Sequence, residues 1–277
     1  MYPDPKKPRL PRQIAGNHGA GIVAKVGRNV SLKPGTLVAF SYYNTWAEYA
    51  AVPAKWLIPL PSDYPMEKAS QFVNFITAWD LLDESGVQPD QWLALTAGNS
   101  TTATMVLQFA TLRKVNVISI VRGAQDHLDL KGLGAAEVIE LSSLGRSIGI
   151  RIVEITQSHG VNGGVDCVGG PVAGDLVRSL SSGGQFVIYG GFSSEKLELH
   201  NFDILMKGSG IKSCIYRYFF TPPQAAETEL LQQIADISGR TEFKIPVGAL
   251  HPLEDWKTAI DETVNHPERG KRFFQMQ

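Results

Sequence analysis

The stretch WLALTAGNSTTATMVLQFATLRKVNVISIVR, from Trp92 to Arg122, decides the fold class of this chain. It opens with a short apolar run, Trp92–Ala97, and closes with a more β-branched run, Val115–Val121, as expected of two parallel strands that are covered on both faces. Between the two runs, apolar residues recur at helical spacing, which predicts an amphipathic helix over 101–114. A strand, a helix and a second parallel strand make the βαβ unit that binds dinucleotides in many α/β proteins.

The turn before this helix is where a cofactor pyrophosphate would bind. Asn99 or Ser100 can cap the helix by accepting a backbone N–H bond, and the free N–H groups of the first turn would face the phosphates. However, Thr101, Thr102 and Ala103 stand where the glycines of the fingerprint are expected. Their side chains crowd the phosphate space, although the two hydroxyls can donate hydrogen bonds to phosphate oxygens. A crossover that binds no nucleotide is the alternative explanation of these residues.

The charge at the end of the second strand bears on the choice of cofactor. Arg122 lies about 20 residues beyond the turn, where NAD sites normally carry Asp or Glu for the ribose hydroxyls. NADP sites carry a cation there for the additional phosphate. The sequence therefore predicts NADPH in preference to NADH.

The composition excludes several classes of protein. The chain has 277 residues, of which 43% are hydrophobic, so it can bury one large core or two ordinary ones. With 26 basic and 27 acidic residues and no long basic run, nucleic acid is not expected as a partner. The two cysteines, Cys167 and Cys214, exclude a disulfide framework and a four-cysteine zinc lobe. We expect a reducing compartment, either the cytoplasm or the mitochondrial matrix.

Targeting signals and membrane segments are not expected either. No apolar stretch reaches the roughly 18 residues that a membrane span needs. The first residues, Met1–Pro5, lack the charged and apolar regions of a signal peptide. We therefore expect no membrane insertion and no targeting segment in this chain.

Three regions differ in their periodicity. Up to about Asp63, short β-branched or aromatic runs alternate with Gly and Pro turns and predict a mostly β unit. From Met66, helical patterns alternate with strands and predict a doubly wound parallel sheet. After Phe220, a short αβ segment closes the chain. The predicted domain ranges are 1–75, 76–219 and 220–277.

Individual elements are also predicted. The runs predicted as strands in the first region are Gly21–Val26, Leu37–Tyr42, Trp46–Val52 and Trp56–Leu60. In the second region, a helix is expected over Asp126–Leu133.

A glycine-rich run near the start carries a family resemblance. Gly16–Val23 reads GNHGAGIV, and VGRNV and KPG follow it, which is similar to the G-H-E-G-A-G-x-V, V-G-x-x-V and K-x-G-D pattern of the medium-chain dehydrogenase/reductase superfamily. The resemblance covers essentially the whole chain and implies a Rossmann-like sheet with a GroES-like, mostly β domain. Zinc-dependent members have His and Glu at the second and third positions, where this chain has Asn17 and His18. With no cysteine near this segment, we expect no metal site.

Later motifs resemble one zinc-independent branch, the mitochondrial-type 2-enoyl thioester reductases, and a neighbouring branch, the quinone oxidoreductases. Thr45-Trp46 replaces the G-Y-A-E-Y of the quinone branch. The segments that are similar to the reductase motifs V-N-P-x-T-A, N-S-G-V-G, V-V-R, N-C-V-G-G and Y-G-G are Val73–Ala78, Asn99-Ser100, Ile120–Arg122, Asp166–Gly170 and Tyr189–Gly191.

This resemblance implies an NADP-dependent, zinc-independent oxidoreductase. Hydride would pass from NADPH to the β-carbon of an α,β-unsaturated thioester, with a quinone or enone as the alternative acceptor. A catalytically silent relative that binds cofactor weakly or modulates a partner is the alternative from another class. The resemblance assigns catalytic positions to Tyr2, Trp46 and Asn74. It assigns cofactor contacts to Asn74, Thr77, Asn99, Ser100, Thr101, Thr102, Arg122, Tyr189, Gly190 and Gly191.

The resemblance also implies expectations about the start of the chain and about its last sheet strand. Tyr2 is close to the position of the family's proton-donating Tyr, but a residue so near a terminus can equally be frayed. Family members normally have several strands before this point, so the first strands of the GroES-like domain are expected to be missing from this chain. Gly210–Ile215 resembles the edge strand that pairs across a two-fold axis, which predicts a homodimer.

Overall fold

The computed structural model describes residues 14–123, 125, 128–245, 247–266 and 269–276. Tyr2 lies outside the described residues. The described chain forms two compact units. The β unit comprises the described residues up to Val73, Phe220–Gly239 and the described residues from Gly248 onward, and the Rossmann unit comprises Asn74–Phe219 and Arg240–Val247.

The strands and helices follow one another in an order that matches the predicted change of periodicity. The strands are β1 (His18–Ile22), β2 (Leu37–Ser41), β3 (Leu57–Pro59), β4 (Trp92–Leu95), β5 (Asn116–Val121), β6 (Ala135–Glu140), β7 (Val161–Asp166), β8 (Leu180–Ile188), β9 (Gly210–Ser213), β10 (Val247–His251) and β11 (Lys271–Phe274). The helices are α1 (Met66–Ala69), α2 (Phe72–Ser85), α3 (Thr101–Leu112), α4 (Leu141–Leu144), α5 (Ile148–Ile155), α6 (Gly170–Arg178), α7 (Asn201–Leu205), α8 (Thr228–Ser238) and α9 (Trp256–Asn265). Short 3-10 turns lie at Ala54–Trp56, Ala225–Glu227 and Leu253–Asp255.

The β unit is built on a three-stranded antiparallel sheet in the order β1-β2-β3, beside the pair β10-β11. The first four residues of β2, Leu37–Phe40, are buried. The strand expected over Trp46–Val52 is wrong, because this stretch is irregular and Tyr49 is 80% exposed. Aromatic residues make a good strand only where a neighbouring strand supplies the ladder, and among the described residues no strand pairs with this segment.

The Rossmann unit contains a six-stranded parallel sheet in the order β6-β5-β4-β7-β8-β9. This confirms the predicted fold class. Ile118 on β5, Phe186 on β8 and Leu176 on α6 are completely buried in its core, as expected of strands that helices cover on both faces.

Two details of this unit differ from the expectations. The described part of the helix expected over Asp126–Leu133 forms turns, and there Gly132 donates its N–H to the Asp129 carboxylate and Gly134 has a φ of 112°. Residues 240–247, expected in the return segment, group instead with the Rossmann unit. The reason is Phe243, whose ring packs 5.4 Å from Phe75 and 4.9 Å from Phe109.

None of the described helices is both long enough and apolar enough to cross a bilayer.

Candidate cofactor site

The strand order of the Rossmann unit reverses between β4 and β7, which makes this point the topological switch of the sheet. The two strands are hydrogen-bonded neighbours, and Thr96 continues the ladder by donating its N–H to Val165 O at 3.0 Å. In open α/β sheets, ligands bind in the crevice outside the carboxyl ends of the strands at such a point. Most of the predicted cofactor residues lie just after the carboxyl ends of strands in this sheet: residues 99–102 follow β4, Arg122 follows β5, and Tyr189–Gly191 follows β8.

The turn after β4 is held tightly against β5. Ala97 has a φ of 50°, and Gly98 donates its N–H to Ile120 O at 2.9 Å. A Cβ added at Gly98 would come 1.9 Å from Ser119 Oγ. Only glycine fits this close approach, so the surviving glycine of the turn fixes its path toward α3.

The amino end of α3 has the features of an anion site. Ser100 caps the helix and accepts a 3.3 Å hydrogen bond from the N–H of Ala103. Among the described residues, no backbone acceptor pairs with the N–H groups of Thr101 and Thr102, and the first turn contains no acidic residue. Free N–H groups and the positive end of the helix dipole suit a pyrophosphate.

Thr102, one of the residues that replace the glycines of the fingerprint, lies near a side chain that the sequence did not indicate. The hydroxyl of Thr102 interacts with the phenol of Tyr189, as does the hydroxyl of Thr77, which is 2% exposed. Burial raises the pKa of Tyr189, and the two hydroxyls oppose the rise. Hydroxyls from both α2 and α3 therefore lie near the phenol of Tyr189. Its neighbour Ala103 is buried within the helix.

The end of β8 is fixed by its backbone. Tyr189 and Gly190 both donate their N–H groups to Asp166 O, at 2.8 and 3.2 Å. A Cβ at Gly190 would come 2.5 Å from Cys167 O, whereas one at Gly191 would meet nothing within 4 Å. The chain therefore packs closely on one side and leaves open space beside Gly191, as a strand end that faces a ligand requires.

The other two predicted cofactor residues, Arg122 and Asn74, lie on β5 and α2 or just beyond their ends. Arg122 is exposed at the end of β5, and its carbonyl accepts a hydrogen bond from Ser142 N at 2.9 Å. In the described part of the chain, its guanidinium forms no ion pair. Asn74 is half-buried on α2, one turn before Thr77 and on the same face of the helix.

The β unit holds the remaining predicted catalytic residue, Trp46. Its ring packs edge-on against Phe274, with centroids 4.7 Å apart. A Cβ at Gly16 would come 2.3 Å from the same indole, and Gly16 has a φ of 93°. A side chain at position 16 would therefore clash with the indole of Trp46, so the first residue of the GNHGAG run has to be glycine.

The described residues around His18 do not form a set of metal ligands. Desolvation and the charge of Lys271 lower the pKa of His18 to about 4, so it is neutral at physiological pH. Within the described ranges, no group of three His, Cys, Asp or Glu residues is arranged to hold a metal ion.

Asp166 is a functional candidate that the sequence reasoning missed. It is 1% exposed at the end of β7, and its carboxylate accepts hydrogen bonds from Thr96 Oγ1 at 2.7 Å, from Gly169 N at 2.8 Å and from Val168 N at 3.2 Å. The sequence did carry one signal for this residue. Position 166 is an aspartate, whereas the thioester reductase motif N-C-V-G-G has an asparagine at that place.

Comparison with known proteins gives three kinds of similarity. A family model described as zinc-binding dehydrogenase matches residues 102–236. The mitochondrial enoyl-acyl-carrier-protein reductase of Mus musculus is 34% identical over 97% of this chain and 74% of its own length, and that of Homo sapiens is 30% identical over the same shares. The solved complex of Etr1p with NADP and crotonyl-CoA superposes with a TM-score of 0.80 at 24% identity, over 94% of this chain and 79% of that one. A mycobacterial quinone oxidoreductase has a TM-score of 0.83 at 22% identity, over 96% and 83%.

Proposed function

This chain belongs to the mitochondrial enoyl-acyl-carrier-protein reductase family of the medium-chain dehydrogenase/reductase superfamily, and we propose that it reduces the double bond of 2-enoyl thioesters with NADPH. The observation that carries the proposal is the 34% identity to the mouse reductase over 97% of the chain. The geometry of the switch point supports it, because the turn, Arg122 and the end of β8 offer what a phosphorylated dinucleotide needs.

Each proposed cofactor residue in the described part of the chain then has a specific role in binding. The N–H groups of Thr101 and Thr102 bind the pyrophosphate, and the Arg122 guanidinium binds the 2′-phosphate. Tyr189, whose phenol lies near the hydroxyls of Thr77 and Thr102, would contact the nicotinamide. NADPH supplies the hydride when it is bound.

Tyr2, outside the described residues, is proposed to deliver the proton to the α-carbon. A phenol has a pKa near 10, so it can protonate a strongly basic enolate that lies close to it.

Fluorescence titration with NADPH and NADH tests the cofactor half of the proposal. We expect submicromolar binding of NADPH and much weaker binding of NADH. Absence of binding by both nucleotides would favour the catalytically silent relative.

Steady-state turnover then tests the substrate. We expect crotonyl-CoA to be reduced with a higher kcat/KM than 1,4-naphthoquinone. The reverse order would assign the chain to quinone reduction instead.

We also propose a homodimer formed through β9. This strand pairs with β8 and lies at the edge of the sheet, so its outer backbone groups are available for another strand. Two apolar side chains accompany the edge, Ile211 at 38% exposure and Ile215 at 57%. Antiparallel pairing of two copies would bury both side chains and continue the sheet across a two-fold axis.

The site of action is proposed from the relatives, which are named as mitochondrial proteins. We propose that this protein also acts in mitochondria. Fractionation with antibody detection checks this, and recovery in the cytoplasmic fraction alone would contradict it.

A further inference from the structure

The carboxylate of Asp166 is a buried charge at the switch point, with neutral donors around it. The Thr96 hydroxyl and the N–H groups of Val168 and Gly169 all point at its oxygens. Such donors satisfy an ionised carboxylate without cancelling its charge. Among the described residues, no Lys, Arg or His forms an ion pair with Asp166.

The place of this charge is set by the sheet. The bond from Thr96 to Asp166 joins the carboxyl ends of β4 and β7, the two strands between which the strand order reverses. The carbonyl of Asp166 also holds Tyr189 and Gly190 at the end of β8. The carboxylate therefore lies at the carboxyl ends of the two strands at the switch point, the end of an open α/β sheet at which ligands bind.

The strand order also indicates which half of the cofactor is nearer to Asp166. Arg122, the proposed 2′-phosphate ligand, follows β5 on one side of the switch point. Tyr189–Gly191, the proposed nicotinamide surface, follows β8 on the other side. Because β7 is the neighbour of β8, Asp166 lies on the nicotinamide side.

The reduced nicotinamide ring is neutral, and the oxidised ring carries one positive charge. We propose that the Asp166 carboxylate is a positioning residue whose fixed charge favours the oxidised ring over the reduced ring. With NADPH bound, the same charge would also favour the more positive form of the ring during hydride transfer. Asp166 exchanges no atom or electron in this role, which rests on the proposed function. It is a departure from the asparagine of the thioester reductase motif.

Equilibrium binding of NADP⁺ and NADPH to the full chain and to Asp166→Asn tests the proposal. We expect the ratio of the Kd for NADP⁺ to the Kd for NADPH to rise roughly fivefold to fiftyfold in the variant, as removal of one charge at a partly screened distance predicts. Thr96→Val is the matched control, since it removes a hydrogen bond at the same point but keeps the charge, and its ratio should stay at the wild-type value.

A second variant, Asp166→Ser, keeps an oxygen but removes the charge, and thermal melts identify which variants are folded. A folded Asp166→Asn or Asp166→Ser protein that loses affinity for both nucleotides by the same factor overturns the inference and leaves the proposed function standing. A wild-type protein that binds neither nucleotide overturns the proposed function itself, and the inference with it.

Discussion

Gly98 lies so close to Ser119 that a Cβ at position 98 would come 1.9 Å from the hydroxyl oxygen and 3.0 Å from the Cβ of the serine. Ser119 is completely buried on β5, and in the described part of the molecule its hydroxyl has no hydrogen-bond partner. The turn that leads into α3 is therefore positioned by steric contact with the neighbouring strand, without a side-chain hydrogen bond between the two residues.

Substitution of Gly98 by Ala should lower the free energy of unfolding by about 1–3 kcal/mol, as for other overpacked sites. Ser119→Ala should cost less than about 1 kcal/mol, since the hydroxyl that it removes has no partner among the described residues. The double variant should recover part of the loss in urea unfolding. Gly27→Ala is the control, because a Cβ there meets nothing within 4 Å. Strictly additive losses in the double variant would refute the contact.

Arg122→Ala should raise the Kd for NADPH by about tenfold to a hundredfold, since the lost contact is a charge-assisted pair with a phosphate. The Kd for NADH should change little, because NADH lacks the 2′-phosphate. Arg151→Ala removes another arginine, one that pairs with Glu154 on α5, and should alter neither value. Equal weakening of NADPH and NADH by Arg122→Ala would remove the argument for cofactor choice.

The ion pair between buried Asp80 and half-buried Arg217 should make stability depend on pH. Arg217 Nε donates a 3.0 Å bond to Asp80 Oδ2, and Nη2 bonds the other oxygen. Burial raises the pKa of Asp80, and Arg217 opposes the rise. Because the folded pKa lies above the unfolded one, ionisation of Asp80 costs stability as the pH rises above the usual carboxyl range.

Arg217→Met removes the group that opposes this cost. We expect a loss of about 3–5 kcal/mol in the free energy of unfolding near pH 7.5 and a smaller loss near pH 5, because the guanidinium stabilises only the ionised form of the carboxyl group. Arg146→Met breaks the exposed pair with Glu154, in which both bonds are 2.7 Å, and should change the free energy of unfolding little at either pH. Urea unfolding at the two pH values measures both variants. A pH-independent loss for Arg217→Met would contradict this account of Asp80.

Charged residues on the edge strand should separate the proposed dimer. Ile211→Lys with Ile215→Lys places two positive charges beside their copies on the partner strand, where like charges repel. We expect a monomer in light scattering at concentrations where the wild type is a dimer. Val153→Lys on α5 is the control, because Val153 is also exposed. A variant that still scatters as a dimer would place the interface elsewhere.

Tyr2→Phe should lower kcat for crotonyl-CoA by about tenfold to a hundredfold, as for loss of a general acid. The Kd for NADPH should remain at the wild-type value, because the proposed cofactor ligands lie in the Rossmann unit. Unchanged turnover in the variant would assign the proton to another donor.

The sequence by itself determined the Rossmann sheet and the place of the turn before α3, where we propose that the cofactor binds. Alternation of β-branched and helical periodicity is a local property, so Trp92–Arg122 alone indicated β4, α3 and β5. A cap at Asn99 or Ser100 and the cation at Arg122 were visible for the same reason, and the structure assigns the cap to Ser100.

The tertiary structure alone decided what depends on distant segments. Trp46–Val52 has strand composition but pairs with no strand among the described residues, and Phe243 makes ring contacts that group it with the Rossmann unit. The contact of Thr102 with Tyr189 and the bond of Thr96 with Asp166 each join residues at least 70 positions apart. Parallel strands bring their carboxyl ends to one edge whatever their separation in the chain, so these partners follow from sheet order and not from local pattern.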